Sequence, residues 1–336
     1  MATQPNSSDR SSRLIIHDLA RRNGHADFAR DIQRGLTSNP RHLFPKYLYD
    51  ELGSRLFEAI CQVDEYYLTR AEDEILTNHA DEIVGSTPDC ETLIELGSGS
   101  AEKTRPILEA LRARQQHLTY CPIEISESAL DGSRRALDDV ESLEIRGIAK
   151  DYLVGLEEAL RGSPRDEPAL VMFLGSSLGN FDPLSGYRFL QTIRRLLAPG
   201  DHFLLGADLD KPEAQLRAAY DDALGVTAAF NLNLLRRMNR ELGADFELSL
   251  FQHQVRIDDA RRNVEMHLES LCDQTIHFGE GGFVVTLCEG ETIHTENSHK
   301  YDIGELDDLT SGAGFACVER WCDDEAAFAS ALYTVA

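Results

Sequence analysis

Thr92-Leu-Ile-Glu-Leu-Gly-Ser-Gly-Ser-Ala-Glu-Lys-Thr104 decides how the rest of the chain is read. Leu93 to Leu96 form an apolar, β-forming run that stops at Gly97-Ser-Gly99. Thr104, Ile107, Leu108 and Leu111 then recur at helix spacing. The stretch therefore reads as a strand, a glycine turn and a helix N-terminus. Glycine lets a ligand approach bare backbone, and in open α/β sheets the ligand crevice lies at the carboxyl ends of such strands. A nucleotide-like cofactor is expected on Gly97 and Gly99, with a substrate pocket built beside it.

The same alternation extends to residue 209. Strands are predicted at His117–Glu124, Leu143–Ile148, Ala169–Leu174 and His202–Ala207, separated by helices over about 102–114, from Ser126, over 153–162 and up to Leu197. Alternating units of this kind imply a doubly wound parallel sheet. Upstream, residues 1–12 read as a flexible tail, Leu14 to Ile16 as an opening strand, and the segment to Leu36 as a helix. Tyr47–Ile60 and 70–85 read as two further helices. Beyond 210 the pattern changes to helices over 211–243 and then to period 2 from Phe246, with hairpin connections at Asp258-Asp259 and Gly279–Gly282. Two closing strands, Ala313–Cys322 and Ala327–Val335, resume the sheet. The expected fold class is α/β, a Rossmann-like sheet with an inserted α+β domain. Its expected division is 13–70 with 210–303 for the substrate, and 71–209 with 304–336 for the cofactor.

The 336 residues are 42% hydrophobic, enough for a core of this size, and carry a formal net charge of −25. So acidic a surface repels phosphate backbones, and no nucleic acid partner is expected. Seven scattered cysteines without a C-x-x-C pair suit a reducing cytosol better than a disulfide framework or a zinc site. The polar start lacks an apolar h-region, and no run reaches membrane-spanning length. A cytoplasmic monomer, free of membrane and metal, is expected. His267, His294 and His299 show no metal-ligand spacing.

Gly97-x-Gly99 alone is a weak motif. The third glycine of a dinucleotide fingerprint is replaced by Glu102. Glu95 and Glu102 near the turn suit a cationic ligand better than an anionic pyrophosphate. S-adenosylmethionine carries a sulfonium and no phosphate. Glu124, ending the second strand, is placed for its ribose hydroxyls. Asp151, ending the third, is placed for its adenine amino group, beside the aromatic face of Tyr152. Each acid alone would read as a solvated strand end; three in register at consecutive strand ends favour the cofactor.

Six strings carry a resemblance: Tyr49-Asp-Glu-Leu-Gly-Ser-Arg-Leu-Phe57, Glu65-Tyr-Tyr-Leu-Thr-Arg-Ala-Glu72, Glu95 through Thr104, Leu178-Gly-Asn-Phe-Asp182, Ala219-Tyr-Asp-Asp222 with Gly225-Val-Thr-Ala-Ala-Phe-Asn231, and Thr295-Glu-Asn-Ser-His-Lys-Tyr301. From about Leu36 to the C-terminus the chain resembles the histidine-specific methyltransferase family of the ergothioneine pathway. The resemblance implies a methyltransferase domain and a separate substrate domain. It implies that Gly97, Lys103, Glu124, Asp151 and Tyr152 line the S-adenosylmethionine site. Tyr66, Asn180 and Tyr220 would hold the amino acid backbone of L-histidine, with Asn180 and Tyr220 on its carboxylate. Glu296 and Ser298 would bond the imidazole nitrogens, Met266 would pack near the ring, and Tyr49 and Phe57 would lie near the amine. Departures from the family pattern are Glu124 for Asp, a polar Asn297, and Leu68 for Pro.

Read physically, Glu296 and Ser298 sit two apart on a strand end and so can share a face. One acceptor and one hydroxyl suit a ring with two nitrogens. In isolation they would read as a surface acid and a turn serine. Asn180 doubles as a left-handed turn residue, and Tyr66, Tyr220 and Met266 as ordinary packing residues. The implied reaction is attack of the α-amine on a sulfonium methyl group, repeated to trimethylhistidine (hercynine), with proton loss to water aided by Tyr49. The alternatives are a relative acting on another amino acid or an indole amine, a nicotinamide dehydrogenase, and a non-catalytic S-adenosylmethionine-binding regulator.

Overall fold

The computed structural model describes residues 24–140, 142–163, 167–258, 260–279, 281–325 and 327–335. The expected tail and the strand at Leu14–Ile16 lie outside them. Helix α1 (Gly24–Thr37) is followed by a 3-10 turn at Pro45–Leu48 and by α2 (Glu51–Ile60). The single helix expected over Tyr47–Ile60 is thus broken. Asp50 caps α2 by accepting the Gly53 N–H at 2.7 Å. Gly53 is needed there, because a Cβ would fall 1.8 Å from the Leu48 carbonyl oxygen.

Helix α3 (Leu68–Gly85) leads into the alternating region: β1 (Thr92–Leu96), α4 (Arg105–Arg114), β2 (Leu118–Glu124), α5 (Glu127–Ala136), β3 (Leu143–Ile145), β4 (Ile148–Ala149), α6 (Tyr152–Gly162), β5 (Ala169–Phe173), α7 (Pro183–Leu196) and β6 (His202–Asp208). The one strand expected over 143–148 is split in two, both parts pairing with β2. Next come α8 (Glu213–Tyr220), α9 (Val226–Leu242), β7 (Phe251–Asp258), β8 (Asn263–Ser270), β9 (Gln274–His277), β10 (Val284–Leu287) and β11 (Thr292–His299). The chain closes with α10 (Ile303–Gly312), β12 (Phe315–Cys322) and β13 (Phe328–Val335). Helix α10 escaped the sequence reading, although Asp302 and Glu305 spell a capping box; Asp302 accepts the Glu305 N–H at 2.7 Å.

The main sheet runs β12-β13-β6-β5-β1-β2-β3, with β4 on β2. β1, β2, β5 and β6 are parallel to their neighbours in the centre, and β12 and β13 are antiparallel. Strand order reverses at β1, where the chain goes to β2 on one side and later to β5 on the other, so the crevice lies beyond their carboxyl ends. β1 and β5 are buried at every residue, as strands covered by helices on both faces must be. One core joins the sheet to α3 and α4, and a second joins its other face to α6, α7 and α10. A third core holds α1, α2, α8 and α9 against β7, β8 and β11.

β11 ties this third unit to the sheet. Tyr301 N–H donates to Asp208 O at 2.9 Å and Asp210 N–H to Tyr301 O at 3.0 Å, just past the end of β6. The 3-10 turn Ser177–Asn180 after β5 lies against the same strand. A Cβ on Gly179 would meet His299 O at 2.7 Å and His299 N at 3.1 Å. Among the described residues no helix is long and apolar enough to cross a membrane.

Candidate functional site

The turn after β1 is shaped by φ angles of +77° at Gly97 and +53° at Gly99, which glycine adopts without strain. Above Gly97 sits the Tyr152 ring at the start of α6, its hydroxyl 3.1 Å from where a Cβ would be. Nothing lies within 4 Å of the corresponding point on Gly99, so the turn is open there. Tyr152 is fixed by the Phe173 and Phe189 rings, at 5.3 and 6.2 Å between centroids. Glu124 ends β2 beside this turn, half-buried, and accepts the Ile125 N–H at 2.9 Å. Burial raises its carboxyl, while the Ile125, Gly99 and Ser126 amides oppose the rise. Asp151 stands at the N-terminal end of α6, makes no capping bond with its side chain, and is exposed.

Two acids read from the sequence as complements to a cationic ligand have other positions. Glu95 is buried and accepts from Thr104 Oγ1 at 2.7 Å and from the Tyr120 hydroxyl, lashing the glycine turn to β1 and β2. Its carboxyl is pushed up to about 7 by burial, against the pull of those bonds. Glu102 points to solvent. The charge balance of the turn is set instead by Lys103. Its ammonium pairs with Glu72, a fully buried residue of α3 that the sequence reading passed over. Burial pulls the ammonium down, but Glu72 outweighs this and the net shift is upward. Glu72 also accepts the Gly175 N–H at 2.8 and 3.0 Å, and Gly206 makes room for it. The Lys103 ammonium is therefore already paired with a carboxylate, which disfavours a pyrophosphate there. A terminal acid, an open glycine turn and an aromatic wall fit S-adenosylmethionine.

Facing the turn, Tyr49, Phe57, Tyr66 and Tyr220 form an aromatic wall. Tyr49–Phe57 centroids are 5.4 Å apart, Phe57–Tyr66 6.2 Å and Tyr66–Tyr220 6.1 Å. Phe230 of α9, unforeseen from sequence, backs Tyr49 at 5.4 Å. The Tyr49, Tyr66 and Tyr152 phenols are all raised, first by burial, and all three feel the Glu296 carboxylate. Tyr49 and Tyr152 also feel Glu124, so the wall and the cofactor turn border one space.

Glu296 reaches that space through a β-bulge. β11 pairs with β8 as His294↔His267 and then Glu296↔Met266, leaving Thr295 as the extra residue. The bulge switches the strand's parity, so Glu296 and Ser298 lie on the same face as Met266 and Val264. Asn297 turns to the opposite face, where its Oδ1 accepts from Asn263 Nδ2 at 2.8 Å; its polarity is thereby explained. Met266 is buried beside Glu296. Glu296 is 7% exposed, and its carboxylate has no hydrogen-bond partner among the described residues. Burial pushes it up to about 8, with Lys300 pulling the other way.

Ser298 and Tyr220 do not stand alone. Their hydroxyl oxygens are 2.6 Å apart, and Lys300 Nζ donates to both, at 2.8 and 2.7 Å. Lys300 also pairs with Asp208 at 2.7 Å. Asp208 in turn accepts from Lys211 at 2.6 Å and from the Tyr67 hydroxyl at 2.7 Å. This buried polar network was not foreseen. Asn180, at the end of the turn that Gly179 seats on β11, is half-buried beside it. Of the residues singled out from sequence, Tyr49, Phe57, Tyr66 and Tyr220 are joined by ring contacts, Ser298 touches Tyr220, and Tyr152 lies over Gly97. Among the described residues no cluster of His, Cys, Asp and Glu has the geometry of a metal site.

The chain is similar to known proteins over nearly its whole length. A family profile described as histidine-specific methyltransferase, SAM-dependent, matches residues 28–335. The histidine N-alpha-methyltransferase of Mycobacterium tuberculosis is 38% identical over 319 residues, covering 95% of this chain and 98% of that protein. The protein of the same name from Mycolicibacterium smegmatis is 38% identical over 304 residues, covering 90% and 93%. Ergothioneine biosynthesis protein 1 of Neurospora crassa is 30% identical over 286 residues, covering 84% of this chain and 32% of that protein. With the glycine turn, the acid at the end of β2 and a match over nearly its whole length, this chain belongs to the SAM-dependent, histidine-specific methyltransferase family.

Proposed function

We propose that this protein transfers methyl groups from S-adenosylmethionine to the α-amino nitrogen of L-histidine, three times in succession, giving Nα,Nα,Nα-trimethylhistidine (hercynine) for ergothioneine biosynthesis. The observation that carries the reading is Glu296, a carboxylate 7% exposed and unpartnered among the described residues, within electrostatic reach of Tyr49, Tyr66 and Tyr152. A buried acceptor without a donor is unfavourable by itself, and an imidazole N–H supplies the donor.

S-adenosylmethionine brings an electrophilic methyl group on a sulfonium. The chain's own task is to align the amine and exclude water. In this reading Glu124, Asp151 and Tyr152 hold the nucleoside, and Gly97 and Lys103 the amino-acid end. Glu296 and Ser298 fix the ring, with Met266 packed against it. Asn180, Tyr66 and Tyr220 hold the backbone groups. The amine must be neutral to react. The Tyr49, Tyr66 and Tyr152 phenols are held protonated by burial, so they serve as donors and ring faces, and the proton leaves to water. Tyr49 and Phe57 present aromatic faces that attract the growing methylammonium by a cation–π contact, which favours repeated transfer.

Glu296→Ala tests the reading. Histidine turnover should fall by on the order of 10²-fold, while S-adenosylmethionine affinity measured by calorimetry stays near wild type. Equal loss of both would remove Glu296 from the ring site and with it the main support for histidine.

A further inference from the structure

The aromatic wall is held from behind by a polar clamp. Tyr49, Phe57 and Phe230 form a closed triangle of rings, with centroids 5.4, 5.4 and 6.1 Å apart. Phe230 is buried, whereas Tyr49 and Phe57 are half-buried. The rings come from three places: Tyr49 follows the 3-10 turn, Phe57 lies on α2 and Phe230 on α9. Asp50 joins these places. Its side chain is 6% exposed. Oδ1 accepts from the Gly53 N–H and from Asn233 Nδ2, each at 2.7 Å, and Oδ2 accepts from Arg240 at 2.7 Å. Burial would raise this carboxyl, but Arg240, Gly53 and Asn233 outweigh it and hold the group below its ordinary value. Phe230, Asn233, Arg237 and Arg240 recur at helix spacing and so share one face of α9. Arg237 adds a bond to the Tyr47 carbonyl at 3.0 Å. Asn233 is 3% exposed, and its Oδ1 has no partner among the described residues. Its bond to Asp50 is the one its side chain makes among them.

The chemistry of successive transfers gives this clamp a specific consequence. In each transfer the amine lone pair forms the N–C bond while the sulfur takes the electron pair of the S–C bond. The proton the amine must shed goes to water. A neutral primary amine carries two N–H donors by which a site can aim it. A neutral dimethylamine carries none, and its lone pair must point at the incoming methyl group. Hydrogen bonds from the amine can therefore orient the first substrate but not the last. The last is placed by the surfaces that touch its methyl groups, and in the reading above Tyr49 and Phe57 supply them. Their faces also attract the methylated ammonium by cation–π contact.

We propose that Asp50 is a positioning residue for the number of methyl groups transferred. By fastening the Tyr49 corner and the start of α2 to α9, it fixes the Tyr49 and Phe57 rings against Phe230. The third transfer depends on that fixed wall more than the first does. The inference rests on the trimethylation reading above and goes beyond it, because it names what carries the reaction past the first product. Asp50 touches no reacting atom and acts through the two rings.

The test is a ratio. Wild type, Asp50→Ala, Asp50→Asn and Asn233→Ala are assayed separately with L-histidine and with Nα,Nα-dimethylhistidine, and products are resolved by mass spectrometry. Folding is checked by thermal unfolding, and S-adenosylmethionine affinity by calorimetry should stay near wild type. Asp50→Ala should lower the dimethylhistidine-to-histidine ratio of kcat/KM by on the order of 10-fold. From histidine it should accumulate mono- and dimethylated product. Asp50→Asn keeps an oxygen for Gly53 and Asn233, while the half-exposed Arg240 can turn to solvent, so it should restore most of the ratio. Equal losses with both substrates in Asp50→Ala, or an Asp50→Asn ratio as low as that of Asp50→Ala, would overturn the proposal. Asn233→Ala keeps it testable if Asp50→Ala does not fold. That variant leaves the α2 cap in place and removes the tie to α9, so the ratio should again fall; an unchanged ratio would overturn the proposal. A wild-type enzyme that never trimethylates histidine would instead reject the functional reading itself.

Discussion

Replacing Glu296 by Gln should make the ligand-free protein more stable at alkaline pH. The side chain is 7% exposed, and its carboxyl is moved from 4.5 up to about 8 by burial, with Lys300 opposing. Below pH 4.5 the group is protonated in both folded and unfolded chains and costs little. Between 4.5 and 8 the unfolded chain releases this proton while the folded chain keeps it. Stability therefore falls with rising pH by about 1.4 kcal/mol per unit, and the loss levels off above pH 8. Over the whole interval the loss approaches about 5 kcal/mol, an upper figure because water entering the crevice solvates part of the charge. Glutamine keeps the shape and has no proton to lose. Urea unfolding of wild type and Glu296→Gln, at pH 5 and at pH 8.5 without ligands, isolates this group, since every other titration cancels in the difference. The two proteins should match within about 1 kcal/mol at pH 5 and differ by several kcal/mol at pH 8.5. Saturating L-histidine should narrow the gap by binding the wild type more tightly. Parallel stability curves would refute the claim that Glu296 is a buried acid awaiting a partner.

Two further outcomes follow from the contacts around the crevice. Gly179→Ala places a Cβ 2.7 Å from the His299 carbonyl oxygen and must push the turn bearing Asn180 off β11. Histidine kcat/KM should fall by about 10²-fold with S-adenosylmethionine affinity retained, and unchanged kinetics would show that this seating does not matter. Glu72→Gln strips Lys103 of its charged partner. It should destabilise the protein by about 3 kcal/mol, the low end for a broken buried pair because the Lys103 side chain keeps 29% exposure. It should also weaken cofactor binding in calorimetry, and no change in either would remove Glu72 from the site's support.

The sheet was legible because it is local. β1, β2, β5 and β6 each show as a short run rich in apolar residues and closed by a turn, whereas β3 and β4 read as one strand, and the helices between carry their own spacing and caps, as Ser126 does for α5. The candidate site was legible where it sits at strand ends, as Glu124 and Asp151 do, or where two residues share a strand face, as Glu296 and Ser298 do. What escaped depends on pairing across long sequence separations. The bulge at Thr295 exists only in the register between β8 and β11. The partnership of Lys300 with Asp208 and that of Lys103 with Glu72 join residues far apart in the chain, and no periodicity marks a charged residue as buried. Glu95 misled for the same reason. Its position beside a glycine turn suggested a ligand contact, whereas Tyr120 on the next strand claims it.

The purified protein is incubated with S-adenosylmethionine and L-histidine, beside a panel of other amino acids and indole amines, and the products are followed by mass spectrometry with fragmentation. The expected result is mono-, di- and trimethylated histidine in succession, with every methyl group on the α-nitrogen. Methyl transfer to another member of the panel with histidine untouched, or methylation of the imidazole ring, would contradict it.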